Sequence, residues 1–258
     1  MTHIPIKSPR EIEKMRTACR AASTLLDQIA ALLRPGISTG EVDRGAAELI
    51  RAAGCTSAFL GYRKFPGNIC ISVNEEVVHG IGGQRRIQYG DIVKLDVGVF
   101  KDGWVGDTAK TVPVGAVGPG VSHLLQVTED ALDNAIPLAR EGRRLHEVCG
   151  AIEDYVTGHG YTVVREFVGH GVGRKLHEEP QVPNYRSGAN PKLRAGMTLA
   201  IEPMVNQGGA KVRVLGDNWT VITADGRPSA HFEHTVLVTT GEPEILTWRE
   251  RMVPKLAA

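Results

Sequence analysis

Polar and apolar residues near the start of the chain alternate with helical spacing. Ser8-Pro9-Arg10-Glu11 offers a capping Ser, a Pro at the first helical position and a Glu three residues past the cap, which predicts a helix over roughly 9–34, ended by Pro35-Gly36. A second capping pair, Ser38 or Thr39 with Glu41, opens a helix through Val42, Ala46, Leu49 and Ile50 to Gly54. The period then falls to two: 69–73 alternates as a strand, and 74–83 is expected as loop around His79. Residues 91–100 and 104–114 form a hairpin across Asp102-Gly103, a strong turn signal. Helical spacing returns over 121–140, kinked by Pro137, and over 145–158. Beyond it come a strand at 161–168, a glycine-rich loop with His170 and His177, a Pro/Asn/Gly-rich excursion over 181–191 and a strand at 197–202. A final hairpin is expected to pair 219–223 with 230–238 across Asp225-Gly226.

The pattern occurs twice. Adding 106 to the residue number superposes Leu26 on Leu132, Asp27 on Asp133, Gly36 on Gly142, Glu41 on Glu147, Val42 on Val148 and Gly54 on Gly160. A constant offset without a gap implies two related halves, roughly 8–114 and 115–240, each a helix pair followed by strands. Helix pairs outside and antiparallel strands inside define an α+β layer architecture with a site between the halves.

Composition narrows the function classes. The 258 residues carry a formal net charge of +1 with no basic run, which gives no footprint for nucleic acid, and no apolar stretch is long enough to span a membrane. Residues 1–16 lack an apolar signal core, and the four cysteines (19, 55, 70 and 149) have no CxxC spacing, so reduced thiols and a cytoplasmic location are expected.

Four acidic residues stand on or beside strand-like apolar runs: Asp96, Asp107, Glu202 and Glu233. Burying such a residue is expensive unless it is paired or binds a cation. With Asp102-Gly103 as a two-residue turn, Asp96 lies diagonally across from Asp107 on one face, roughly 7–8 Å away, close enough to share an ion. Four carboxylates and one imidazole suggest two divalent metals with bridging carboxylates, hard donors suited to Mn or Fe and acceptable to Co or Zn. Such a pair polarises a carbonyl and lowers the pKa of water, which is the chemistry of hydrolysis. Taken singly, a strand-end Asp is more often a turn or cap residue, and a lone His more often a satisfied core residue. His3, His123, His146, His159 and His231 receive no role, and His234 points away from Glu233 by strand alternation.

The segments 74–80 around His79, the Asp96/Asp107 pair, 169–173 with 177–180, 201–204 and 232–235 together resemble the type I methionine aminopeptidases over nearly the whole chain. The resemblance implies one catalytic domain over 1–258 with the pita-bread fold, and removal of the initiator methionine from nascent chains and peptides with a small second residue. It implies that Asp107 and Glu233 bridge two ions (Co, Mn, Fe or Zn), that Asp96 completes one, and that His170 and Glu202 complete the other. Glu202 would also shuttle the proton, His79 and His177 would contact the peptide, and Tyr62, Phe65, Cys70 and Trp219 would wall the methionine pocket. Asn74 with Ser229 would hold a monovalent cation. A monomer acting near the ribosome exit is the partner expectation, with no membrane and no nucleic-acid specificity.

Two residues depart from the family pattern. Leu176 stands where Phe is frequent, and Gly98 where Thr is common, so pocket shape is expected to differ while the metal ligands do not. Two rival functions remain open: an X-Pro peptidase with the same five ligands, whose relatives usually carry a further N-terminal domain, and a non-catalytic binding protein on the same fold, whose relatives have lost ligands.

Overall fold

Ser8 and Ser38 start helices where their capping pairs predict. In the computed structural model, which describes residues 3–249, α1 spans Pro9–Ala30 and α2 spans Thr39–Ala52. The Glu11 carboxylate accepts from Ser8 N and Oγ, and Glu41 does the same for Ser38 at 2.8 and 2.7 Å. The first helix ends four residues before the expected Arg34; a hydrogen-bonded turn from Ala31 to Leu33 follows. After the first sheet come α3, Pro119–Ala135, and α4, Leu145–Gly158, with Pro137 inside a short 3₁₀ turn at Ile136–Leu138. The ends of the 1–258 span, residues 1–2 and 250–258, lie outside the described residues.

The offset of 106 survives in three dimensions. It maps α2 onto α4 end to end, and it relates the isolated bridge Ser38–Arg86 to Arg144–Lys192. The left-handed glycines Gly36, Gly54 and Gly90 map onto Gly142, Gly160 and Gly196, whose φ values agree within about 15°. Each half owns an apolar core: Leu26, Val42, Ala46 and Leu95 lie in the first, and their counterparts Leu132, Val148, Ile152 and Ile201 in the second.

In the first half, strand 92–101 is the sheet centre. It pairs with 56–57, 70–73 and 104–113, all antiparallel. Asp102 and Gly103 take φ of 51° and 77°, the turn geometry that matches strand twist, and the register sets Asp96 opposite Ala109 and Gly98 opposite Asp107. In the second half, strands 244–245, 234–237, 198–201, 169–171 and 178–182 lie side by side in that order.

Three expectations fail. The strand at 161–168 shrinks to Thr162–Val163, and the supposed loop around 74–83 contains strand Glu76–Val78. The final hairpin does not form: Val221–Thr223 pairs with 212–214 and 76–78, while the run 230–238 breaks at Phe232–Glu233 into two pieces in different sheets. The break has a cause in the neighbouring half. Thr108 Oγ1 donates to Glu233 O, Thr235 Oγ1 donates to Asp107 O, and Glu233 N donates to Ala109 O, so this segment is stitched to strand 104–113. That seam joins the halves and brings their carboxylates together.

Candidate metal centre

Each acidic residue reaches the centre by a local device. Asp107 is mid-strand on 104–113, whereas Glu202 and Glu233 sit at breaks between strands, at 201/204 and 231/234. Pro203 stops the ladder after Glu202 because it has no N–H to donate. Glu233 was expected mid-strand; it instead occupies the crossover between two sheets. Asp96 and Glu202 are themselves related by the offset of 106. The glycines flanking His170 let strand 169–171 squeeze between its neighbours: a Cβ at Gly169 would meet Ala200 O at 2.3 Å, and one at Gly171 would meet Glu179 O at 2.2 Å.

The result is a buried cluster. Asp107, His170 and Glu233 offer ligand atoms all within 4.8 Å of one another. His170 Nε2 lies 3.8 Å from Asp107 Oδ2 and 3.5 Å from Glu202 Oε1. Asp96 faces the same space, and Asp96 Oδ1 and Asp107 Oδ1 are shut away without a hydrogen-bond partner among the described residues. Burial, reinforced by like charge from the neighbours, raises every carboxyl: Asp96 to about 7, Glu202, by burial alone, to about 8, and Asp107 and Glu233 well above the usual range.

His170 supplies the sharpest test of what fits here. Its Nδ1 is 2.9 Å from Gly171 O, a carbonyl that can only accept, so Nδ1 carries the hydrogen. Burial pulls this imidazole down to about 3, so the ring is neutral and Nε2 presents a lone pair to two carboxylate oxygens. With the carboxyls ionised, lone pairs face one another, which is unfavourable unless a proton or a cation lies between them. Orphaned carboxylate oxygens, hard donors and a pre-set imidazole tautomer fit divalent metal ions.

The rest of the pocket surrounds this cluster. A cavity of about 320 Å³ is lined by all five proposed ligands, by His79 and His177, and by Tyr62, Phe65, Cys70 and Trp219. His79, at φ 60°, meets Phe167 and Trp219 edge-on, and Phe65 meets Trp219 in the same way. Burial lowers His79 to about 4, leaving it neutral. His177 stands at the mouth with its ring centroid 4.1 Å from that of His170, and its Nδ1 is 2.8 Å from the Tyr62 hydroxyl. Sequence reasoning missed Phe59, Val78, Phe167 and Met204, which also line the cavity. Gly98 is explained by Phe59: a Cβ at Gly98 would come within 2.4 Å of that ring.

Two histidines and one lysine complete the picture. His234 is structural as expected, with Nδ1 3.0 Å from Thr247 Oγ1. His231, given no role from sequence, is 1% exposed and places Nε2 3.4 Å from Glu202 Oε2. Asn74 with Ser229 was the expected monovalent-cation site; their carbonyls both accept from Lys94 Nζ, at 2.6 and 3.0 Å. An amine of the chain stands between these two carbonyls.

Comparison with known proteins gives the class. Residues 13–240 match the model of metallopeptidase family M24, and the chain belongs to that family. Within it, the chain is 47% identical over 242 residues to methionine aminopeptidase 1 of Bacillus subtilis, covering 93% of this chain and 98% of that protein. It is 45% identical to the methionine aminopeptidase of Escherichia coli, covering 96% and 95%. The crystal structure of the Thermotoga maritima methionine aminopeptidase superposes with a TM-score of 0.93 at 43% identity, covering 96% of this chain and all of that one. A Pyrococcus furiosus prolidase, at 24% identity and a TM-score of 0.79, shares the pita-bread fold; this chain spans 66% of its length.

Proposed function

We propose that this metal-dependent aminopeptidase removes the N-terminal methionine from peptides and nascent chains whose second residue is small. The observation that supports it best is the cavity, whose lining combines a cluster of four carboxylates and His170 with the aromatic and thiol side chains of Tyr62, Phe65, Cys70 and Trp219. In this reading Asp107 and Glu233 would be shared by two divalent ions, Asp96 would complete one site, and His170 with Glu202 would complete the other. Such ions polarise the scissile carbonyl and acidify a water molecule.

The chain's own residues do the rest. Glu202 accepts the proton of the attacking water and returns it to the leaving amine nitrogen as the C–N bond breaks. His177 Nδ1 is 2.8 Å from the Tyr62 hydroxyl; where the phenol donates, the ring's hydrogen is on Nε2, available to the substrate carbonyl oxygen as negative charge develops there. Neutral His79 lies against Trp219, where it can contact the peptide beside the methionine side chain. In this reading the enzyme acts in the cytoplasm as a monomer meeting chains near the ribosome exit, with Mn, Fe, Co or Zn as the ion.

The test is release of the first residue from Met-Ala-Ser, Met-Lys-Ser and Ala-Pro-Ser by protein reconstituted with each ion. Fast cleavage of Met-Ala-Ser and little of the other two is expected. Preferential cleavage of Ala-Pro-Ser would transfer the protein to the X-Pro peptidases, and no cleavage with any ion would favour a binding protein.

A further inference from the structure

His231 approaches the Glu202 oxygen that His170 does not. Its backbone is held in place: Thr111 Oγ1 donates to His231 O at 2.8 Å and accepts from His231 N at 2.9 Å, and Thr111 is on the strand that carries Asp107. Its main chain also pairs with Met204, two residues past Glu202. The ring is buried, and neither ring nitrogen has a hydrogen-bond partner among the described residues. Buried polar atoms are nearly always partnered, so an imidazole aimed at a candidate centre with both nitrogens uncommitted calls for a reason.

Glu202 provides one. Its Oε1 is 3.5 Å from His170 Nε2 and its Oε2 is 3.4 Å from His231 Nε2, so the carboxylate lies between two imidazoles. These rings differ chemically. The His170 Nε2 is a lone pair because Nδ1–H is committed to Gly171 O, which makes Oε1 the oxygen on the ion side. In His231 no bond fixes the tautomer, and the hydrogen is free to reside on Nε2, facing Oε2.

We infer that His231 is a positioning residue that donates from Nε2 to Glu202 Oε2 and thereby sets the rotation of this carboxylate, holding Oε1 toward the ion. This rests on the proposed role of Glu202 as ligand and proton carrier. No main-chain N–H and no lysine or arginine bonds that carboxylate among the described residues, so without His231 its Oε2 has no donor beside it. Outer partners of this kind typically contribute 10–100-fold in metal affinity or activity.

Three variants and two readouts test it. His231→Gln keeps an amide nitrogen near the Nε2 position; His231→Leu removes the donor; His231→Asn keeps an amide one bond too short to reach Oε2. Calorimetry of Mn binding to metal-stripped protein and kcat with KM on Met-Ala-Ser are measured for each. His231→Leu and His231→Asn should lose about 10–100-fold in kcat with KM within about threefold, and should bind Mn about tenfold more weakly. His231→Gln should stay within about threefold of the parent in both. Unchanged Mn affinity and kcat in the Asn and Leu variants would overturn the inference, as would equal impairment of all three with a common loss of thermal stability. If the Leu variant does not fold, the comparison of Gln with Asn decides alone. A parent protein inactive on Met-Ala-Ser would count against the functional reading, while the Mn affinities would still decide the role of His231.

Discussion

Binding of divalent ions should expel protons, and the amount should depend on pH in a calculable way. In the ion-free protein Asp96 is raised to about 7 and Glu202 to about 8, chiefly by burial, with Asp107 and Glu233 higher. At pH 6.5 the Glu202 carboxyl is then almost fully protonated and that of Asp96 about three-quarters so, whereas at pH 8.5 both are largely ionised. Coordination requires the carboxylate form, so saturation with Mn at pH 6.5 should release at least about one proton more than at pH 8.5, and apparent affinity should rise over this interval by about tenfold or more. Calorimetry in two buffers of different ionisation heat counts those protons. A carboxyl whose folded pKa is raised favours the folded state fully below its unfolded pKa near 4 and loses that contribution as pH rises through the folded value. The ion-free protein should therefore become less stable between pH 6 and 8.5, while the loaded protein, whose carboxylates face cations, should not. The depressed imidazoles of His79, His170 and His231 act in another window: their contribution is present above about 6.5 and is lost only in acid, toward 3–4. Release of under half a proton at pH 6.5, with affinity independent of pH, would refute a cluster of protonated carboxylates waiting for cations.

Glu202→Gln should cut turnover of Met-Ala-Ser by about 10²–10⁴-fold in folded protein, since proton transfer of this kind contributes that much; activity within threefold of the parent would remove Glu202 from the reaction. His177→Ala should lower kcat by about 10²–10³-fold, as loss of an oxyanion donor does, with ion content by elemental analysis unchanged. Gly98→Thr should force the Phe59 ring into the cavity, raising KM for Met-Ala-Ser and costing about 1–3 kcal/mol of stability by overpacking; adding Phe59→Ala should restore KM.

Local rules made much of the fold and site legible. Two capping pairs fixed the helix starts, and one Asp-Gly turn fixed the register that aligns Asp96 with Asp107. The offset of 106 exposed the two halves because it involves no gap. Alternation failed at 230–238, where apolar residues continue through Phe232 but the chain changes sheets at Glu233 under hydrogen bonds from a strand more than a hundred residues away. His231 was missed for the same reason: its meaning depends on Glu202, which local spacing does not bring near. The Lys94 amine between Asn74 O and Ser229 O likewise depends on a contact between the halves. Gly98 read as a departure and became intelligible only with Phe59 against it.

The most direct measurement of the central claim is anomalous diffraction at the manganese edge from crystals of the Mn-loaded protein. Two peaks should appear about 3.5–4 Å apart, as in two-ion hydrolytic sites, with Asp107 and Glu233 touching both, Asp96 touching one, and His170 with Glu202 touching the other. Peaks absent from this cluster, or a single ion that leaves Asp96 without contact, would contradict it.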